Sequence, residues 1–299
     1  MYIENRYIAG MDSCQLNNDN SEIIAIGSER CVYNLPSESE LMKIIERIHC
    51  IGKQVRLVTP KVPQEHFEKV KSIVRAAVNF GVDFITINDY GIMSECHSLW
   101  KESNIRVALG RGVSWCMEEC PWYYNLLREE DEFVRQTCLM SNMENRNKLS
   151  LLESYGITDI ELEGLPGVLG NVDIIRDKMN VTIHIDYPVI SFSRVCHSMK
   201  FNGCTAPQCT GKCHEVLKLE LNKGYDGKVP YPHLKDIDDE LKSVIGDLYI
   251  SGNMVLAPPI DVNTIKQYIK DEDIVVFNSS IMTEEQRNRI LYILGRKGE

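Results

Sequence analysis

Long apolar runs are missing from this 299-residue chain, and so are several familiar motifs. No uncharged apolar stretch approaches the ~18 residues that a membrane-spanning helix needs. The first twenty residues are polar and contain nothing like the apolar core of a secretory leader. The chain therefore reads as cytoplasmic, with no membrane partner. Positive charge is also scarce: 33 Lys and Arg stand against 43 Asp and Glu, a formal net charge of −10. That balance argues against non-specific nucleic-acid binding. The first apolar run leads into Gly27-Ser28-Glu29-Arg30-Cys31, so a Gly-rich dinucleotide loop is absent there. Neither HExxH nor GxSxG occurs, which speaks against a peptidase. No low-complexity segment, short repeat or Pro/Gly/Ser-rich linker divides the chain, and one domain spanning 1–299 is expected.

Cysteine, by contrast, is abundant, with eleven residues. The odd count and the length do not suit a disulfide framework. A chain this size, 43% hydrophobic and 25% charged, can build its core without staples.

Two periodicities alternate along the chain. Short apolar runs rich in β-branched residues occur at 22–27, 54–58, 83–88, 105–109, 159–163, 181–185, 247–251 and 273–278. Amphipathic segments separate most of them. In 37–50, Leu41, Ile44, Ile45 and Ile48 share one helical face, opened by Ser37 with Glu40 three residues on. Segment 63–80 repeats the pattern, and 173–180 and 283–294 read as further helices. Repeated strand–helix–strand order implies parallel pairing with right-handed crossovers. We therefore expect an α/β fold of the (β/α) TIM-like barrel type. Such barrels carry functional residues where strands end. Those ends are marked by Glu29 and Cys31, by Asn88 and Asp89, by Glu161 and Glu163, and by His184 and Asp186.

Four cysteines fall within residues 194–214, at Cys196, Cys204, Cys209 and Cys213, among turn-forming Gly, Pro, Thr and Asn. Thiolates are soft donors for zinc or iron–sulfur clusters. Arg194, Lys200 and Lys212 would offset their charge. No paired CxxC knuckles are present, so a structural zinc site is the weaker fit, and three ligands on an irregular loop with a fourth from elsewhere is the stronger. Zinc remains the alternative. Cys50, Cys96 and Cys138 lie in helical segments and read as packing residues.

The spacing Cys196-x12-Cys209-x3-Cys213, preceded far upstream by Cys31 just after a strand ending in Gly, resembles the collagenase-like peptidase superfamily. Within it, the likeness is to the UbiV-type iron–sulfur proteins of oxygen-independent hydroxylation. Ile87-Asn-Asp-Tyr-Gly91, Ala108-Leu-Gly-Arg-Gly-Val-Ser-Trp115, the run Tyr187 to Cys196, and Leu248-Tyr-Ile-Ser-Gly-Asn253 fall in the same order. The resemblance implies a [4Fe-4S] cluster on Cys31, Cys196, Cys209 and Cys213, with Cys204 unligated. It also implies a second superfamily member as heterodimer partner, or a homo-oligomer, and a small aromatic or peptide-bound substrate. Arg30, Arg111 and Arg194 would bind its carboxylate, and Glu29, Asp89 or His184 would handle protons. Two departures stand out. Only about twenty residues precede the first clear strand, so the barrel is expected to be incomplete at its N-terminus, leaving an edge for a partner to cover. Where the superfamily carries Arg-Glu-Leu-Ser, this chain has Leu162-Glu-Gly-Leu-Pro166, which makes Glu163 a displaced substrate-binding candidate. A non-catalytic, metal-stabilised partner subunit is the competing function.

Overall fold

The computed structural model describes residues 1–7, 16, 19–101, 103–193, 195–204, 209, 216–219 and 243–296. Its first seven strands are β1 (Tyr2–Arg6), β2 (Ile23–Gly27), β3 (Gln54–Val58), β4 (Phe84–Ile87), β5 (Arg106–Leu109), β6 (Asp159–Glu163) and β7 (Asn180–His184). Four short strands then leave the barrel: β8 (Val189–Phe192), β9 (Leu217–Leu219), β10 (Leu248–Ser251) and β11 (Met254–Leu256). The last strand, β12 (Ile274–Asn278), returns to it. Strands β1 to β7 and β12 form a closed parallel barrel, while β8, β11, β10 and β9 form a four-stranded antiparallel sheet beside it.

Helices form in the segments where the periodicity places them, but the one expected over 173–180 is cut to Asp173–Arg176 and its last residue opens β7. Helix α1 (Glu38–Cys50) begins at a reciprocal cap: Ser37 Oγ accepts from Glu40 N, and the Glu40 carboxylate accepts from Ser37 N at 2.8 Å. Its buried face is Leu41, Ile45 and Ile48, each worth roughly 1.5–3 kcal/mol once removed from water. Helices α2 (Phe67–Asn79) and α3 (Tyr90–Trp100) follow β3 and β4. The β5–β6 connection carries α4 (Tyr123–Leu127), α5 (Glu132–Leu139) and α6 (Arg146–Ser154). Shorter helices α7 (Pro166–Gly170), α8 (Asp173–Arg176) and α9 (His197–Phe201) precede the final α10 (Glu284–Ile293).

Two expectations are corrected. The barrel is not incomplete at its N-terminus: Tyr2–Arg6 pairs with β12 on one side and β2 on the other, so no edge is left open. The polar spelling Tyr-Ile-Glu-Asn-Arg hid this strand, because its charged residues face the barrel interior. The run at 247–251 is a strand, but it belongs to the antiparallel sheet rather than the barrel.

Alternation along the strands sorts two environments. Ile24 and Ile26, Val55 and Leu57, Ile85 and Ile87, Ile160 and Leu162, and Val181 and Ile183 join the main core. The opposite face is mostly polar. Apart from a small cluster of Ile23, Phe84, Ile274 and Val276, it carries Glu4, Arg6, Arg56, Thr86, Glu161, Glu163, Thr182 and His184, all buried. Barrels are usually filled with branched aliphatics. This one is filled with charge.

Candidate active site

Backbone geometry at the strand ends brings the charges together. Strand β2 ends at Gly27, where φ is +87° and a Cβ would lie 2.4 Å from the Val58 carbonyl oxygen, so only glycine fits. The turn lets Ser28 N–H donate to Val58 O at 3.0 Å and carries Glu29 and Arg30, both buried, over the strand ends. Beyond β5, Arg111 sits between two glycines that pack on the Asn88 side chain. Asn88 Oδ1 accepts from Gly112 N at 2.9 Å, and its Nδ2 donates to Thr59 O at 2.8 Å. A Cβ at Gly110 would come within 2.3 Å of that amide. Asn88 thereby fixes the backbone that carries Arg111.

Two guanidiniums organise the interior. Arg111 reaches Glu29 at 2.6 Å, Glu163 at 3.2 Å and Asp186 at 2.9 Å. Arg6 reaches Glu4 at 2.9 Å, Glu29 at 3.5 Å and Glu161 at 2.5 Å. Arg56 adds Glu4 at 2.6 Å and stacks over the Phe84 ring. His184 Nε2 lies 2.9 Å from Glu161 Oε2. Since an ionised carboxylate can only accept, this bond assigns the proton to Nε2 and leaves Nδ1 as an acceptor, 4.0 Å from Asp186.

Five carboxylates thus surround three guanidiniums, and the shortage of positive charge appears in their acidity. Burial would raise Glu29, but Arg111, with Arg6 behind it, brings it down to about 2. Burial likewise opposes ionisation of Glu161, yet Arg6 and the His184 hydrogen bond hold it well below the usual carboxylate range. At Glu163 burial prevails; Arg111 pulls it back and Asp186 pushes it up again, to about 7. Burial and the nearby Glu163 charge raise Glu119 to about 9. His184 is lowered by burial and by the Arg111 and Arg6 cations, which keeps the ring neutral. Glu163 is therefore the carboxyl of this network whose pKa lies nearest neutrality.

The candidates read from sequence divide accordingly. Glu29, Arg111, Glu163 and His184 meet in one buried network, and Arg111 is saturated by the protein's own carboxylates. Asp89 stands apart: it caps α3, accepting from Gly91 N at 2.8 Å and from Val62 N at 3.1 Å. Arg194 and Cys213 lie outside the described residues. Sequence reading missed Glu4, Arg6, Arg56 and Glu119; the available signal was the charge of Arg56 within an otherwise apolar strand, whereas Glu4 and Arg6 lie in a polar run and Glu119 in the β5–β6 connection. Among the described residues, three metal-ligating groups come within single-ion reach of one another only at Glu29, Glu161 and His184. Arg6 already bridges those two carboxylates, so a protein cation fills that position.

At the barrel mouth, Arg6, Tyr7, Ser28, Glu29, Arg30 and Asn278 line part of a small cleft. Next to it, Cys31 caps a single turn (Val32–Asn34), its Sγ accepting from Tyr33 N at 3.4 Å. Cys196 caps α9 in the same way through Met199 N, and Cys209 is exposed. The antiparallel sheet links these segments. Arg30 Nη1 donates to Ser251 Oγ at 2.7 Å. Ser198 N donates to Gly252 O at 3.0 Å, and Gly252 N to Ser198 Oγ at 2.8 Å. Leu217, four residues after Cys213, pairs with Ile250.

No family model and no curated protein matches the chain. Among solved structures it is similar to a U32 peptidase, with 10% identity over 95% of this chain and 94% of that one, at a TM-score of 0.44. N-(5'-phosphoribosyl)anthranilate isomerase from Pyrococcus furiosus gives 8% identity over 99% and 98%, at 0.42. 3-Dehydroquinate dehydratase from Geobacillus kaustophilus gives 10% over 68% and 77%, at 0.38. Likenesses this distant carry no argument about chemistry. No helix among the described residues is long and apolar enough to cross a membrane.

Proposed function

We propose that this chain is the iron–sulfur component of an oxygen-independent hydroxylation system, holding a [4Fe-4S] cluster on Cys31, Cys196, Cys209 and Cys213 at the barrel mouth. One observation carries the reading: segments far apart in sequence converge on the β10–β11 turn. Cys31 is tethered there through Arg30 and Ser251, Cys196 through Ser198 and Gly252, and the strand that follows Cys213 pairs beside Ser251. Four thiolates without paired CxxC knuckles favour a cluster over a single zinc ion.

Such a group supplies one-electron transfer, at a potential set by its surroundings. The chain's own residues do the rest. The proposed substrate is a small aromatic acid, approaching at the barrel mouth beside Arg30. Glu163 gives up or takes a proton near neutral pH, and Arg111 holds Glu29, Glu163 and Asp186 in register. A second superfamily member is the proposed partner. The competing reading, a non-catalytic metal-stabilised subunit, is favoured by one feature: the barrel interior is occupied by mutually paired charges rather than by an open cavity.

Anaerobic purification with iron and sulfide analysis tests the proposal. Wild type should be brown with about four irons per chain; Cys31→Ala, Cys196→Ala, Cys209→Ala and Cys213→Ala should each lose the visible absorption, and Cys204→Ala should keep it. Colourless protein containing zinc, or a bleached Cys204→Ala beside an intact Cys31→Ala, overturns the assignment.

A further inference from the structure

Arg30 was a substrate-binding candidate on residue type alone. Its geometry suggests another role. Arg30, Ser251 and Ser198 are 4%, 0% and 2% exposed, so the bonds they make are shielded from water. Arg30 Nη1 donates to a neutral hydroxyl, a bond that fixes position. The turn that receives it is stiff. Ser251 pairs with Met254 across a two-residue connection, and Gly252 takes a φ of +63° that other residues rarely adopt. Both arms are held in the sheet, β10 by β9 and β11 by β8. Asn253 Nδ2 further donates to Ser193 O at 2.6 Å, and Ser193 N returns a bond to Asn253 O at 2.9 Å.

We propose that the Ser251–Gly252 turn is a positioning element for the cysteine site, clamping the Cys31 segment through Arg30 and the Cys196 segment through Ser198. This rests on the iron–sulfur reading above. The clamp fixes the spacing of two ligands separated by 165 residues of sequence (196 − 31), and it does so with bonds that involve no thiolate. The site is therefore largely arranged before iron arrives. Arg30, Ser198 and Ser251 act through Cys31 and Cys196, as positioning residues.

The test compares wild type, Ser251→Ala, Ser198→Ala, Ser198→Thr and Cys31→Ala, all purified anaerobically as the full chain. Three properties are measured: the rate of iron release to a chelator, the reduction potential, and the electron paramagnetic resonance spectrum of the dithionite-reduced protein. Ser251→Ala and Ser198→Ala should bind iron and sulfide but release iron about fivefold faster, the effect of one lost hydrogen bond. Both should show a shifted potential and altered g-values. Ser198→Thr keeps the hydroxyl and should restore wild-type behaviour. The two serine deletions act on different segments, so loss of fold in one leaves the other to decide. Iron release and spectra unchanged in a folded Ser251→Ala or Ser198→Ala overturn the clamp while the cysteine assignment stands. Full iron retention in Cys31→Ala overturns the cysteine assignment itself, and the clamp with it.

Discussion

Arg6 and Arg111 between them touch five carboxylates inside the barrel, every one of them buried. In the antiparallel sheet, hydroxyls, amides and backbone groups do the holding: Ser198 to Gly252, Asn253 to Ser193, Arg30 to Ser251. The barrel network is strongly interdependent, because a buried charge left without its partner is far more costly than a lost neutral bond. The sheet is joined by individually modest bonds, any one of which can be removed locally. A rigid charged interior thus sits beside a tethered region that can be adjusted piece by piece.

The largest test of this contrast is Arg111→Ala, which strands Glu29, Glu163 and Asp186 in the interior. We expect a loss of about 3–5 kcal/mol, read as a fall in the urea midpoint or outright failure to fold. A loss below about 1 kcal/mol, the level of an exposed ion pair, would show that the network is not interdependent.

Glu163→Gln sharpens the same comparison through pH. The folded-state pKa of Glu163 is about 7, above its ordinary 4.5, so its ionisation weakens the fold. Its contribution is greatest below pH 4.5 and declines as pH rises to 7. Glu163→Gln should therefore be more stable than wild type above pH 7, with the advantage fading as pH falls through that window. Glu29 has the opposite sign: its pKa of about 2 contributes stability above pH 4.5 that disappears on acidification. Parallel melting curves for wild type and Glu163→Gln at all pH values would remove Glu163 as the proton-exchanging group.

Asn253→Ala probes the sheet and should cost the least, about 1 kcal/mol. Faster amide hydrogen exchange should be confined to residues 189–193 and the β10–β11 turn, with β6 and β7 unaffected. Equal acceleration in the barrel strands would mean that the two regions unfold as one unit.

Much of the barrel was legible in the residues. Gln54–Val58 and Asp159–Glu163 match the apolar runs to the residue, and the Ser37–Glu40 cap announced α1. Tyr2–Arg6 was not legible, because a strand is recognised by outward aliphatics and this one spends Glu4 and Arg6 on the interior. The run at 247–251 had the right local character but the wrong sheet, since a four-residue strand does not encode its neighbours. In the candidate site, Glu29, Glu163 and His184 were found because each ends a strand. Asp89 fits the same description, yet its carboxylate turned to the backbone of its own helix. Strand ends identify candidates, and packing decides which of them face inward.

The sequence by itself determined the alternation of strands and helices, the glycine that turns the chain toward Glu29, and the placing of charge on one face of β6, because these depend on neighbours along the chain. Only the tertiary structure decided that Arg111 would be filled by three internal carboxylates, that Glu163 would sit near neutrality while Glu29 fell to about 2, and that Arg30 and Ser198 would meet the same turn. Those outcomes depend on burial and on charges contributed by distant strands, and Coulombic interaction acts through space rather than along the chain.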